Sequence, residues 1–171
     1  MNSLVSVIMP YYDKKDYFFE SINSVLNQTH TNLEIIIVYD DENKNDLKHI
    51  KNCIKNDTRV KIIFNDNNKG VSYSRNKAIS IAQGKYIAFL DCDDYWETNK
   101  IEVQLNFMLT HGYHFSHTTY QVLNYNGKIV STIRARKTLK YKELLNSCDI
   151  GLSSVILKRE LLSDIKFPEL K

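Results

Sequence analysis

Asp91-Cys92-Asp93-Asp94 crowds three carboxylates into four residues, directly after the apolar run Tyr86-Ile87-Ala88-Phe89-Leu90. Like charges this close destabilise one another unless a cation or hydrogen-bond donors neutralise them. A hard divalent ion is the natural counter-ion, because oxygen ligands suit Mg2+ or Mn2+ and such ions keep positions open for substrate phosphates. The blander alternative has Asp94 capping the next helix and the other acids solvated; an apolar strand aiming all three at one sheet edge favours the metal. Asp40 and Asp41 follow a second apolar run, Leu33 to Val38, and a carboxylate there can accept hydrogen bonds from a base N–H or a ribose hydroxyl. Arg75, one turn into the segment after Gly70, can aim a guanidinium at a diphosphate or a nucleobase carbonyl, its alternative being an ordinary surface arginine.

Other candidates are weaker. His111, His114 and His117 recur every third residue, but Gly112 and the strand-like run after it break a helical face, so packing or surface roles are expected ahead of a metal site. Arg134, Arg136 and Lys137 form a small basic cluster that suits an anionic acceptor or a membrane surface, or simply a solvated strand end. The 11 tyrosines can stack on sugars, although such residues are more often partly buried in the core.

The elements that must position these residues follow from periodicity. Leu4 to Met9 is a short strand closed by Pro10; Tyr17 to Leu26 then sets Phe18, Ile22, Val25 and Leu26 on one helical face. The pattern repeats with strands at Leu33–Val38, Val60–Phe64 and Tyr86–Leu90. Between them lie a polar-faced helix over Asp46–Lys55 and a helix after Gly70 with Val71, Ser74, Ala78 and Ala82 on one stripe. Strands apolar on both faces with intervening helices imply a parallel sheet with right-handed crossovers, an α/β fold whose ligand lies beyond the carboxyl ends of the strands. Those ends are Pro10-Tyr11-Tyr12-Asp13, Tyr39-Asp40-Asp41-Glu42 and Asp91-Cys92-Asp93-Asp94. After residue 96 the pattern becomes mixed and antiparallel. Ile101, Leu105, Met108 and Leu109 share a helical face, and the strand-like runs His114–Leu123 and Lys128–Ile133 flank the hairpin signal Asn126-Gly127. Tyr141–Asn146 reads as a short helix, Leu152–Leu157 as a last strand and Arg159–Asp164 as a last helical turn.

The chain's 171 residues suit one domain, with a nucleotide-facing half (1–96) and an acceptor-side half (97–171). A net charge of +3 is neither the basic excess of a nucleic-acid binder nor an acidic tail, and no apolar stretch approaches a membrane span. Five glycines, none close enough to make Gly-x-Gly or Gly-x-x-x-x-Gly-Lys, exclude the usual glycine-based phosphate cradles. Cys53, Cys92 and Cys148 are odd in number and far apart, which fits reduced thiols in the cytoplasm.

In order and spacing, three segments resemble the opening of family 2 glycosyltransferases: Val5-Ser6-Val7-Ile8-Met9-Pro10-Tyr11-Tyr12, Ser24-Val25-Leu26-Asn27-Gln28-Thr29 and Glu34-Ile35-Ile36-Ile37-Val38-Tyr39-Asp40-Asp41. Gly70-Val71-Ser72 with Ser74-Arg75-Asn76, then Gly84 through Asp94, resemble that family's helix and acidic metal motif, and Ser153 to Arg159 fits weakly. The resemblance implies a GT-A fold with a Rossmann-like, mostly parallel sheet. It also implies a nucleotide diphosphate sugar donor, usually a uridine one, and Mn2+ or Mg2+ bridging the diphosphate. Carried onto these positions, Asp40 contacts the uracil, Pro10 and Tyr12 line the base pocket, and Arg75 and Asp91 stand near the nucleotide. Asp93 faces ribose or the metal shell, and Asp94 is the most direct metal ligand. The chain departs from the usual Asp-Asp-Gly-Ser by reading Tyr39-Asp40-Asp41-Glu42, with a tyrosine at the first acidic position.

The family transfers sugar with inversion, a carboxylate deprotonating the acceptor hydroxyl. Glu160, Asp164 and Glu169 are the acids beyond residue 150 and none forms the expected acidic pair, so the general base is expected beyond Lys171. Two readings follow. One is a transferase acting on a saccharide or lipid-linked acceptor in surface polysaccharide or lipopolysaccharide assembly, cytoplasmic and peripheral at the inner membrane face. The other is a shortened or split form that binds donor but relies on a partner polypeptide for the base. A sugar-1-phosphate nucleotidyltransferase ranks below both, since it needs a glycine-rich loop where this chain has Pro10-Tyr11-Tyr12-Asp13.

Overall fold

The computed structural model describes residues 3–138, 140–146 and 149–169; Cys148 and Lys171 lie outside them. Strands β1 (Val5–Tyr11), β2 (Leu33–Tyr39), β3 (Val60–Phe64) and β4 (Tyr86–Phe89) alternate with helices α1 (Lys15–Leu26), α2 (Leu47–Ile54) and α3 (Val71–Ile81). Helix α4 (Lys100–His111) leads to β5 (Phe115–Ser116), the hairpin β6 (Tyr120–Leu123) and β7 (Ile129–Ile133), helix α5 (Tyr141–Asn146) and β8 (Ile156–Lys158). Short 3-10 turns at Leu152–Ser154 and Arg159–Leu162 flank β8.

The main sheet runs β3-β2-β1-β4-β8-β5. Its first four strands are parallel, and β8 lies antiparallel between β4 and β5. The chain leaves β1 in one direction through β2 and β3, then crosses back over α3 to β4 on the other side of β1. The order therefore reverses between β1 and β4, and a crevice opens at their carboxyl ends. α/β character, parallel strands and the mixed second part all agree with the sequence pattern.

Alternation sorts the core into two layers. Val5, Val7, Met9 and Tyr11 of β1 face the same side as Ile35, Ile37, Tyr39, Tyr86 and Ala88, under Phe18 and Ile22 of α1, Ile50 of α2 and Ile101 and Leu105 of α4. Ile8, Ile36, Val38, Ile87 and Phe89 face the other side, where the small Ala78 and Ala82 let α3 approach closely. Val71, expected on the buried stripe of α3, is instead half-exposed at its first turn.

Some boundaries differ from expectation for physical reasons. β1 continues through Pro10 to Tyr11, because β4 pairs with β1 only as far as Ile8 and the missing Pro10 N–H costs no ladder bond on that open side. The run His114–Leu123 splits into β5 in the main sheet and β6 in a separate two-stranded sheet, and the Leu152–Leu157 run becomes a 3-10 turn followed by β8. At the opposite end of the sheet from the crevice, Gly84 turns the chain into β4. An added Cβ would meet Ser6 Oγ at 2.5 Å and Ser6 N at 2.6 Å, so no larger residue fits. Glu34, the one charge in β2, belongs to this turn: Ser6 Oγ and the backbone N–H groups of Gln83 and Gly84 all donate to it.

Candidate functional site

The carboxyl ends of β1, β2 and β4 bring the expected residues to one rim. At the end of β4, Asp94 N–H donates to the Asp91 carbonyl at 3.0 Å, so the acidic segment forms a tight turn. Its three carboxylates each meet a donor from a different element. Arg75 Nη2 of α3 donates to Asp91 Oδ1 at 2.6 Å. Lys14, where β1 turns into α1, pairs with Asp93 Oδ2 at 2.9 Å, which raises the lysine's affinity for its proton. Ser153 Oγ donates to Asp94 Oδ2 at 2.5 Å and accepts from Asp91 N–H at 3.2 Å.

Burial raises the Asp94 carboxyl above its ordinary range; Ser153 works against that, and Asp91 and Asp93 push it further up. An all-oxygen donor set under like-charge repulsion fits a hard divalent cation, and two carboxylates with ligand phosphates completing the shell is the usual Mg2+ pattern. Among the described residues no group of three or more His, Cys, Asp and Glu side chains is arranged to hold a metal ion by itself. Between the acids, Cys92 is buried and its Sγ donates to the Pro10 carbonyl at 3.3 Å, tying β4 to β1. The buried thiol is pushed well up and is a packing group.

Arg75 lies in the crevice, but its guanidinium is engaged by Asp91 and sits 5.4 Å from the centre of the Phe167 ring. Its Nε is buried without a hydrogen-bond partner. Pro10 and Tyr12 flank the end of β1. Tyr12 is 53% exposed, while the adjacent Tyr11 is buried, stacked on Tyr39 at 5.1 Å and donating its hydroxyl to Asp46 Oδ2 at 2.7 Å. Asp13 takes φ 46°, a left-handed conformation uncommon outside glycine, and this turn delivers Lys14 to Asp93.

The end of β2 separates two neighbouring acids. Asp40 is 3% exposed, with Oδ1 accepting from Asn65 Nδ2 at 2.7 Å and Lys69 N–H at 2.8 Å, and Oδ2 accepting from Gly70 N–H at 2.8 Å. It clamps the loop that enters α3. Asp41 Oδ1 accepts from Asn43 N–H at 3.0 Å, and its second oxygen has no partner among the described residues. Asp40, the residue named for base contact, thus accepts three bonds from the protein, while Asp41, itself only 9% exposed, accepts one.

Sequence reasoning assigned no role to Lys14, Asn65, Trp96 or Lys100, and read Ser153 only within a family-like segment. Trp96 Nε1 donates to the Ser153 carbonyl at 2.7 Å, and Lys100 Nζ sits 4.0 Å from the centre of the Trp96 ring. Burial pulls the Lys100 ammonium down to about 7, while the electron-rich ring face favours its charge. The histidines do not converge. His111 stacks on Tyr113, His114 faces Glu160 at 3.8 Å, and burial lowers the affinity of His117 for a second proton. Arg136 is drawn to Asp149 at 3.1 Å and Glu143 at 3.8 Å.

Comparison with known proteins identifies the family and the fold. The family described as Glycosyl transferase family 2 matches residues 6–165. The chain is 39% identical over 165 residues to the UDP-Glc:alpha-D-GlcNAc-diphosphoundecaprenol beta-1,3-glucosyltransferase WfgD of Escherichia coli, covering 96% of this chain and 64% of that protein. It is 37% identical to the putative teichuronic acid biosynthesis glycosyltransferase TuaG of Bacillus subtilis, covering 98% of this chain and 67% of that one. S. aureus TarS 1-349 in complex with UDP-GlcNAc superposes with a TM-score of 0.71 at 27% identity, covering 96% of this chain and 48% of TarS. The chain thus spans about two thirds of the length of these curated relatives. Its fold is that of the GT-A glycosyltransferases. Since the match takes in every acidic strand end from β1 to β4 and continues past β8, the chain belongs to glycosyl transferase family 2.

Proposed function

We propose that this chain binds a nucleotide diphosphate sugar, in first place a uridine one, together with Mn2+ or Mg2+. In the whole protein it would pass the sugar, with inversion, to a saccharide or lipid-linked acceptor during surface polysaccharide assembly. The observation that carries the reading is that Arg75 meets Asp91 beside the Asp91–Asp94 turn, on the sheet rim where β1, β2 and β4 all end. The named relatives and the UDP-GlcNAc complex of TarS support the donor class.

Asp94 and Asp93 would hold the cation, which supplies charge neutralisation for the diphosphate. Arg75, fixed by Asp91, presents its remaining donors to the crevice. The exposed Tyr12 ring offers a stacking face beside Pro10, and the open oxygen of Asp41 takes over the base contact expected of Asp40, whose carboxylate shapes the loop before α3. The general base is left unassigned: Glu160 pairs with Lys158 at 3.5 Å and Glu169 accepts from Asn76 Nδ2 at 3.0 Å. Among the described residues no helix is long and apolar enough to cross a membrane.

Titration calorimetry with UDP, with and without Mn2+, tests the reading. Metal-dependent binding that Asp94→Ala abolishes and His114→Ala leaves intact is expected. Equal effects of the two substitutions, or no dependence on metal, would overturn the site assignment. Binding without sugar transfer to any acceptor would favour a donor-binding module that needs a partner polypeptide.

A further inference from the structure

One stretch of the second half carries a marked positive excess. Residues 120–145 contain six lysines and arginines and a single acid, Glu143, a net charge of +5. The whole chain, with 23 basic and 20 acidic residues, is +3, so everything outside this stretch is −2. Among the described residues Arg136 is paired in this stretch, whereas Lys128, Arg134, Lys137, Lys140 and Lys142 form no ion pair. Such segregation produces a directed field that a mixed surface does not.

The same stretch exposes large apolar side chains. Val130 is 59% exposed, Leu145 66% and Tyr125 92%, with Val122, Ile129 and Leu144 also open. Among the described residues β6 and β7 pair only with each other, and these side chains stay exposed. A solvated strand end accounts for the cations but not for aliphatic residues between them. Cations interleaved with exposed aliphatic and aromatic side chains match the charged headgroups and acyl boundary of an anionic bilayer. A soluble polyanion would use the charges and leave the aliphatic groups without a partner.

The surface is also coupled to the donor crevice. The Tyr120 ring lies against Gly151, where an added Cβ would meet it at 3.1 Å. Gly151 opens the 3-10 turn that carries Ser153, the donor to Asp94. The hairpin is therefore anchored two residues from Ser153, which bonds the acidic turn.

We infer that the β6–β7 hairpin and the segment through α5 form a docking surface for an anionic lipid membrane, which sets the crevice at the bilayer surface. The surface itself stands on charge and exposure; only its use for a lipid-linked acceptor rests on the proposed function. Sedimentation with vesicles of phosphatidylglycerol and phosphatidylcholine, compared with phosphatidylcholine alone, tests it. The chain is expected to bind the anionic vesicles at 0.1 M salt and to leave them at 0.5 M. Lys128→Ala/Arg134→Ala/Lys137→Ala is expected to lower partitioning about a hundredfold, at roughly fivefold per cation. Val130→Asp/Leu145→Asp should weaken vesicle binding while leaving retention on inorganic polyphosphate largely intact. Metal-dependent UDP binding by both variants, unchanged from the parent chain, shows that the crevice is intact and separates failure here from failure of the donor reading. Equal vesicle binding by parent and variants, polyphosphate binding as tight as vesicle binding, or concentration-dependent dimerisation abolished by Val130→Asp would each overturn the inference.

Discussion

Removing the Asp40 carboxylate and removing its neighbour at Asp41 should have opposite consequences. Asp40 accepts three hydrogen bonds, from Asn65 Nδ2 and from the Lys69 and Gly70 N–H groups, at 2.7, 2.8 and 2.8 Å. Hydrogen bonds to a charged acceptor contribute about 1.5–3 kcal/mol each, and the deepest donor here, on Asn65, keeps Ser74 Oγ as a second partner at 3.0 Å. Water reaches the partly exposed loop N–H groups and recovers part of the loss. Asp40→Ala should therefore cost about 3 kcal/mol, a fall in Tm of roughly 6–12 °C for a chain of this size. Gly70, held at φ 85° directly before α3, loses its anchor, so Arg75 one turn further on is misplaced and UDP affinity falls with the fold. Asp41→Ala removes one bond, from Asn43 N–H, and should cost about 1.5 kcal/mol, roughly 3–6 °C in Tm and half the loss at Asp40. If its open oxygen meets the base, UDP affinity drops about 10- to 100-fold, the worth of one charged hydrogen bond. Thermal unfolding and calorimetry on the two variants decide the matter. An Asp40→Ala protein as stable as the parent, or an Asp41→Ala protein that is stable and binds UDP as the parent does, would refute the division of labour.

Three further outcomes follow from packing and charge. Gly84→Ala should destabilise the fold by about 3 kcal/mol, because its methyl group meets the Ser6 backbone as well as its hydroxyl; denaturant unfolding measures it. Arg75→Ala removes the counter-charge from Asp91, which is a third exposed, and should cost about 2 kcal/mol; Mn2+ should then raise Tm more in this variant than in the parent, as the cation relieves the extra repulsion. Lys100→Met should stabilise the fold at pH 7. The lysine's folded pKa is depressed to about 7, so the unfolded chain binds its proton more tightly, and parent stability rises with pH from about 7 until the unfolded lysine also titrates near 10. That penalty is on the order of a few kcal/mol at neutral pH, so the variant should be the more stable at pH 7 and converge with the parent near pH 10.

The parallel sheet and its helices were legible because continuous apolar runs and 3.6-residue stripes record burial directly, as Ile35 to Val38 and Phe18, Ile22 and Val25 illustrate. The rim was legible as a set of acids because those acids follow the runs. What each acid does was not legible, since it depends on partners far along the chain. Asp40 and Asp41 are adjacent and chemically identical, yet the pleat and the turn send one to backbone N–H groups about thirty residues away and leave the other half-free. Lys14 and Ser153 reach the acidic turn from 79 and 59 residues away, and no local pattern marks them.

These distant partners bear on how a cation would be accepted. The Lys14–Asp93 pair is more than two-fifths exposed on both sides, so breaking it costs less than about 1 kcal/mol. Releasing Ser153 from Asp94 costs about as much as one charged hydrogen bond, and its hydroxyl still has Asp91 N–H to accept. A divalent ion at this turn therefore exchanges weak neutralising contacts for strong ones, whereas Arg75, more deeply set against Asp91, keeps its place. On this argument the crevice needs little rearrangement to admit metal and diphosphate together. Lys14→Ala should then leave metal-dependent UDP binding within about fivefold of the parent, and a larger loss in calorimetry would show that Lys14 contacts the ligand itself.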